Sequence, residues 1–206
     1  MSTGTQAVNA WLVACAESFE RHATELNALD RAIGDGDHGS NMQRGFAAAR
    51  ELQLDDTLTT AEAFRRIGMA LVSSVGGASG PLFGTLFLRI GQNWSSPMST
   101  AMMAQCLRAG GDAVSTRSRA QVGDATMVDG IMAVAQSLAD SAARGVELGP
   151  ALQSAAVAAR DAAEATKEMV ARRGRASTFG QASVGHMDPG ARSVQLITES
   201  AAEYLA

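Results

Sequence analysis

The sequence predicts an all-α protein, a single domain of eight helices in which neighbours along the chain run antiparallel. Three observations carry this. Alanine is abundant, while aromatic residues are few (six Phe, two Trp, one Tyr) and only four prolines interrupt 206 residues; alanine loses no side-chain entropy in a helix. Apolar residues recur at helical spacing, and no apolar/polar alternation of useful length marks a strand. A chain of this length suits one core, and no linker or internal repeat divides it.

The first helix is read from Val8, Leu12, Cys15, Phe19, His22, Leu26 and Leu29, an inward stripe with spacings of four and three. His22, on that stripe, reads as a hydrogen-bonded core histidine. Asp30 stands four residues after Leu26, at the edge of the same face and near the helix end. Gly34-Asp35-Gly36-Asp37 then forms a loop. Further helices follow over 39–52, 59–75, 80–94, 98–116, 126–144, 148–173 and 190–205. Their breaks carry Gly, Pro, Ser or Asp: Gly76-Gly77, Ser96-Pro97, Gly123-Asp124, Gly149-Pro150, Gly174 and Asp188-Pro189-Gly190. Short connections imply antiparallel neighbours. The exception, 174–189, is a longer Gly-rich stretch of the kind that often serves as a lid.

Composition removes several function classes. A net charge of −4 without a basic block offers no general attraction to nucleic acid or an anionic membrane surface. The longest apolar runs, such as Pro81 to Leu88, are too short to span a bilayer, and no signal peptide is expected at the N-terminus. Lys167 is the only lysine, so a Walker-type phosphate loop is absent. Cys15 and Cys106, both in helical patterns, read as reduced core residues of a cytoplasmic protein.

Asp30, Asp35 and Asp37 fall within eight residues among glycines. Hard oxygen ligands on a loosened loop are what Mg²⁺ asks for when phosphates complete its coordination. The competing reading is an acidic, solvated turn whose last residue caps the next helix. Three carboxylates this close repel, and a divalent cation removes that cost. The backbone amides of His38, Gly39, Ser40 and Asn41 open the second helix, and Ala78 and Ser79 open the fourth; each start can bind phosphate or be an ordinary cap or turn. Asp124 is expected to cap the helix beginning at 126, with Met127 either core or against a purine ring. Arg175, flanked by small residues, can reach a phosphate with a bidentate fork. A nucleotide carrying about −3 to −4, added to three aspartates, calls for two Mg²⁺ ions.

These motifs, in order along nearly the whole chain, resemble the ADP-binding L subunits of dihydroxyacetone kinases. The resemblance rests on Gly34-Asp35-Gly36-Asp37-His38-Gly39, Gly76 through Gly84, Gly123-Asp124 with Thr126-Met127, Gly174-Arg175-Ala176-Ser177, and Gly185-His186 with Asp188-Pro189-Gly190. It implies that residues 1–206 form one nucleotide-binding helical domain, an eight-helix antiparallel barrel with ADP or ATP at one rim. It implies that Asp30, Asp35 and Asp37 hold two Mg²⁺ ions. His38, Gly39, Ser40, Asn41, Ala78, Ser79, Met127, Arg175, Asp188, Pro189 and Gly190 would surround the nucleotide, with Arg175 also the catalytic cation. A ketose-binding K subunit would present the sugar, and a phosphocarrier M subunit or ATP would supply the phosphate. Homodimerisation is left open. This chain has Ala125 where the family usually has Lys, and Arg117-Ser118-Arg119 replaces a Gly-containing loop. Two rivals to phosphoryl transfer are an ADP-binding regulatory module without turnover and a metal-dependent phosphohydrolase.

Overall fold

The computed structural model describes residues 4–205 apart from positions 53, 56 and 96, so Ser96 of the expected Ser96-Pro97 break lies outside the described residues. Eight α-helices occupy the described chain: α1 Gly4–Ile33, α2 His38–Arg50, α3 Thr60–Ser74, α4 Ser79–Asn93, α5 Thr100–Ser118, α6 Met127–Ala143, α7 Leu148–Ala165 and α8 Pro189–Tyr204. Each helix packs on the next, and α8 returns to α1, so the antiparallel series closes into a barrel. No strand is present among the described residues. Among the described residues no helix is long and apolar enough to cross a membrane.

Local chemistry starts the helices where the chain has caps to offer. Thr59 and Glu62 form a reciprocal capping box on α3, with Glu62 N donating to Thr59 Oγ1 at 3.2 Å and Thr59 N to Glu62 Oε2 at 2.9 Å. Ser99 accepts from Met102 N at the start of α5. The barrel interior is an aromatic file. Phe19 and Phe46 pack at 4.5 Å, and Trp11 sits 5.8 Å from Phe64 and 5.7 Å from Phe87. Trp11 satisfies its indole N–H on the Ile197 carbonyl at 3.2 Å, tying α1 to α8. Close approach of α3 and α4 needs Gly84, where a Cβ would run into Val72 and the Gly68 carbonyl. Cys15 and Cys106 are buried, free thiols, as composition suggested, and burial pushes both of their pKa values up. His22 is half-buried and bonds the Ser18 carbonyl through Nδ1 at 2.8 Å.

Two expectations are corrected. The seventh helix stops at Ala165 rather than near 173: Thr166 turns its hydroxyl onto the Ala163 carbonyl, and a single 3₁₀ turn, Thr166–Glu168, leads the chain away. The Gly-rich stretch expected to be irregular carries 3₁₀ turns over Arg175–Ser183, kinked at Gly180.

Phe46 is fully buried and touches both Phe19 and Phe87. Phe46→Ala should therefore cost about 3–5 kcal/mol in urea unfolding, as large-to-small changes in a closed core do. Val157→Ala on the exposed face of α7 should cost under about 0.5 kcal/mol.

Candidate functional site

The up-and-down order gathers the C-terminal ends of α1, α3, α5 and α7 at one rim with the N-terminal ends of α2, α4, α6 and α8. A cavity of about 390 Å³ opens there, lined by Ile33 and His38, Gly76 and Ser79, Ser118 and Met127, and Pro189, among others. Helix N-termini carry partial positive charge and amides without intrahelical partners, which suits those four ends to anions.

The acidic group is built around Asp30, in the last turn of α1. Its Oδ2 accepts from the amides of Gly36 at 2.8 Å, Asp37 at 2.9 Å and His38 at 3.2 Å. One carboxylate oxygen thus folds the loop back over the helix that precedes it and satisfies the start of α2. Asp37, in the N-cap position, caps nothing with its side chain; Oδ1 instead accepts from Asn41 Nδ2 at 2.8 Å. Asp30, Asp35 and Asp37 each bring a carboxylate oxygen within 4.8 Å of the others. Asp35 is ion-paired with Nη1 of Arg175, which reaches over from the 3₁₀ segment.

His38 joins three helix starts. Its Nδ1 lies 3.1 Å from Ser79 Oγ on α4 and its Nε2 lies 2.8 Å from Ser193 Oγ on α8. Burial lowers its pKa to about 4, against the raising effect of Asp30 and Asp37, so the ring is neutral and both nitrogens are occupied. Asp188 caps α8 by accepting from Ala191 N at 2.7 Å, with Pro189 in the first turn. Burial, with Asp129 and Asp30 nearby, pushes its carboxyl up to about 7. Thr166 Oγ1 receives the Asp188 amide at 3.0 Å, which fixes the end of α7 beneath this cap. The N-terminus of α4 differs: Ala78 provides no side-chain cap, so the amides of its first turn face the cavity without one.

Asp30, Asp35, Asp37, His38, Asn41, Ala78, Ser79, Met127, Arg175, Asp188, Pro189 and Gly190 all line the cavity, so the structure brings together most of the residues singled out from the sequence. Gly39 and Ser40 are not among the lining residues. Gly39 packs against α1 so tightly that a Cβ would strike the Ala23 carbonyl. Ser40 is exposed and held by Asn27, whose Oδ1 takes its amide at 3.0 Å and whose Nδ2 donates to its hydroxyl at 2.8 Å. Asp124 does not cap α6. Thr126 does, accepting from Val128 N at 3.2 Å while Asp129 Oδ2 accepts from Thr126 N at 2.8 Å. Asp124 is buried, accepting from Gln121 N at 3.0 Å with Arg173 Nε 3.7 Å away. Sequence reasoning missed Arg117 and Arg173, which line the cavity; the signal available was the Arg-rich departure at 117–119 and the pair at 172–173.

The DAK2 domain family matches residues 32–203. The chain is 43% identical over 198 residues to the ADP-binding subunit DhaL of the PEP-dependent dihydroxyacetone kinase of Escherichia coli (strain K12), covering 95% of this chain and 94% of that one. It is 34% identical over 197 residues to the ADP-binding subunit DhaL of the PTS-dependent enzyme of Lactococcus lactis subsp. lactis (strain IL1403), covering 95% of each. Its fold is similar to the crystal structure of the dihydroxyacetone kinase from C. freundii in complex with AMP-PNP and Mg²⁺, with a TM-score of 0.72 and 26% identity. That match covers 95% of this chain and 33% of the other, so the chain spans about a third of that longer kinase.

The Asp188 carboxyl should titrate near neutrality in the nucleotide-free protein, which ¹³C NMR of labelled aspartate reads directly. Because its native pKa lies above its ordinary value of 3.8, the folded protein holds a proton that the unfolded chain has released; stability falls as pH rises through that interval toward 7. Urea titrations at pH 5 and pH 8 should show the wild type losing stability relative to Asp188→Asn. Equal losses in the two proteins would refute the assignment.

Proposed function

The chain belongs to the DAK2 domain family, and we propose that residues 1–206 form a nucleotide-binding helical domain that transfers a phosphoryl group to a hydroxyl of dihydroxyacetone or a related short ketose. The sugar is held on a separate ketose-binding K subunit. The observation that carries this reading is the meeting, at one mouth, of three carboxylates within 4.8 Å and a helix start without a side-chain cap. One half of that pair suits cations and the other suits phosphate.

The carboxylates fit Mg²⁺ on the chemistry of the donor set. Asp30 has one oxygen committed to three amides, which fixes the orientation of the other; Asp37 is steadied by Asn41; Asp35 is exposed on the loop. All are hard, anionic donors on a glycine-containing turn. Two Mg²⁺ ions bound there would neutralise the polyphosphate and orient its oxygens. The chain's own groups do the rest. The first turn of α4 offers amides to the phosphate chain, and Met127 at the start of α6 gives an apolar contact for the base. Arg175 is the catalytic cation, a planar fork able to leave Asp35 for charge developing on the transferred group. His38 is a positioning group: both ring nitrogens are engaged by serines, so it is not free to take a proton from the sugar. The base for the ketose hydroxyl belongs to the K subunit.

The names of the two relatives matched over nearly their full length, one PEP-dependent and one PTS-dependent, support ADP as a retained cofactor recharged by a phosphocarrier M subunit. A cytoplasmic location accords with that chemistry.

Purified protein combined with a ketose-binding subunit, dihydroxyacetone and a phosphoryl donor should yield sugar phosphate. Tight ADP binding with no sugar phosphate would instead indicate a regulatory module, and phosphate release without an acceptor a hydrolase. Asp35→Asn should lower turnover at least 100-fold with unchanged far-UV circular dichroism; near-normal turnover refutes the metal assignment. Native mass spectrometry should find one ADP and two magnesium ions per chain, and chelation with EDTA should weaken ADP binding at least tenfold.

A further inference from the structure

A chain with a net charge of −4 carries five arginines in two segments that reach its cavity mouth. Residues 113–123 hold Arg117 and Arg119 and no acid, and residues 169–187 hold Arg172, Arg173 and Arg175 and no acid. The carboxylates next to the first segment, Asp124 and Asp129, are both buried, Asp124 beside Arg173 and Asp129 accepting from Gly123 N at 2.6 Å. The two segments are fastened into one surface. Arg173 Nε donates to the Arg119 carbonyl at 2.6 Å and the Arg172 amide to the carbonyl of Asp124, the residue after the first segment, at 3.1 Å; within the second segment the Ala171 amide donates to Ser183 Oγ at 2.8 Å.

Neither helix dipoles nor the nucleotide accounts for all five guanidinium groups. Arg172, Arg173 and Arg175 stand at least seven positions beyond the end of α7 at Ala165, outside the reach of its C-terminal dipole. Arg117, Arg173 and Arg175 line the cavity; Arg119 and Arg172 do not. The side chains of Arg119 and Arg172 are exposed and make no ion pair or hydrogen bond with a described residue. The two segments also carry exposed apolar side chains, among them Val122 at 63% exposure and Phe179 at 42%. Arginine with exposed apolar and aromatic groups is the composition of a protein interface; a solvated small polyanion would gain nothing from Val122 or Phe179.

We infer that this arginine arc is the docking face for an acidic surface surrounding the acceptor site of the ketose-binding subunit. The inference rests on the proposed phosphoryl transfer, which requires another chain to bring a hydroxyl to this mouth. Complementary charge around the mouth steers that encounter and sets its register, while the cavity-lining arginines remain for the nucleotide.

The test is the double variant Arg119→Glu/Arg172→Glu, titrated with the ketose-binding subunit in the coupled kinase assay. The half-saturating concentration of that subunit should rise at least tenfold, while turnover at saturation and Mg-ADP affinity stay within twofold of wild type. Raising salt from about 50 to about 300 mM should weaken the wild-type interaction and leave the variant's little changed. An unchanged half-saturation overturns the arc, as does a loss confined to binding of inorganic polyphosphate. If wild type transfers phosphate and the variant matches it, the arc alone falls. If wild type binds the subunit in calorimetry without transferring, the kinase reading falls and the variant's calorimetric affinity decides the arc. Absence of both binding and transfer in wild type sinks both.

Discussion

Crowding of negative charge at one end of a barrel is the constraint around which this molecule is arranged. Asp30, Asp35, Asp37 and Asp188 all line a cavity of about 390 Å³, and their mutual repulsion has to be offset for the fold to persist. Each is managed differently. Asp30 is neutralised locally by three backbone amides, Asp37 is steadied by Asn41, and Asp35 is paired with Arg175. Asp188 instead has its carboxyl pushed up toward neutrality while it caps α8. Four helix starts at the same rim bring positive dipole ends close to these carboxylates, alternating with the negative ends of four other helices.

The same rim is held in shape by a few bonds between elements distant in sequence. His38 reaches Ser79 and Ser193, and Thr166 reaches Asp188, so the starts of α2, α4 and α8 and the end of α7 are joined by side chains. Such a frame ties together helix ends that are far apart in the sequence and so sets the shape of the mouth.

Much of this was legible in the residues because helices and their ends are local. Stripes such as Val8 to Leu29 mark a buried face at a spacing of three and four. The Gly-Asp-Gly-Asp loop, Gly76-Gly77 and Asp188-Pro189 mark helix ends without reference to anything distant. Most of the residues that the sequence marks out therefore line the cavity, since an up-and-down barrel delivers alternate helix ends to one rim. The errors came where two local options competed. Asp124 and Thr126 are both good caps, and burial of Asp124 beside Arg173, a residue 49 positions away, settled the choice for Thr126.

On its own, then, the sequence determined the helices, their antiparallel order and the collection of polar groups at their ends, because each follows from spacing within a turn or two. Tertiary structure alone decided which partner each polar group takes. It turned Ser40 outward onto Asn27, pressed Gly39 onto the backbone of α1, ended α7 at Thr166 and drew Arg117 and Arg173 into the cavity wall. A hydrogen bond or an ion pair is won by whichever group the packing brings within about 3 Å, and that distance is set by the closure of the whole barrel rather than by neighbours in the chain.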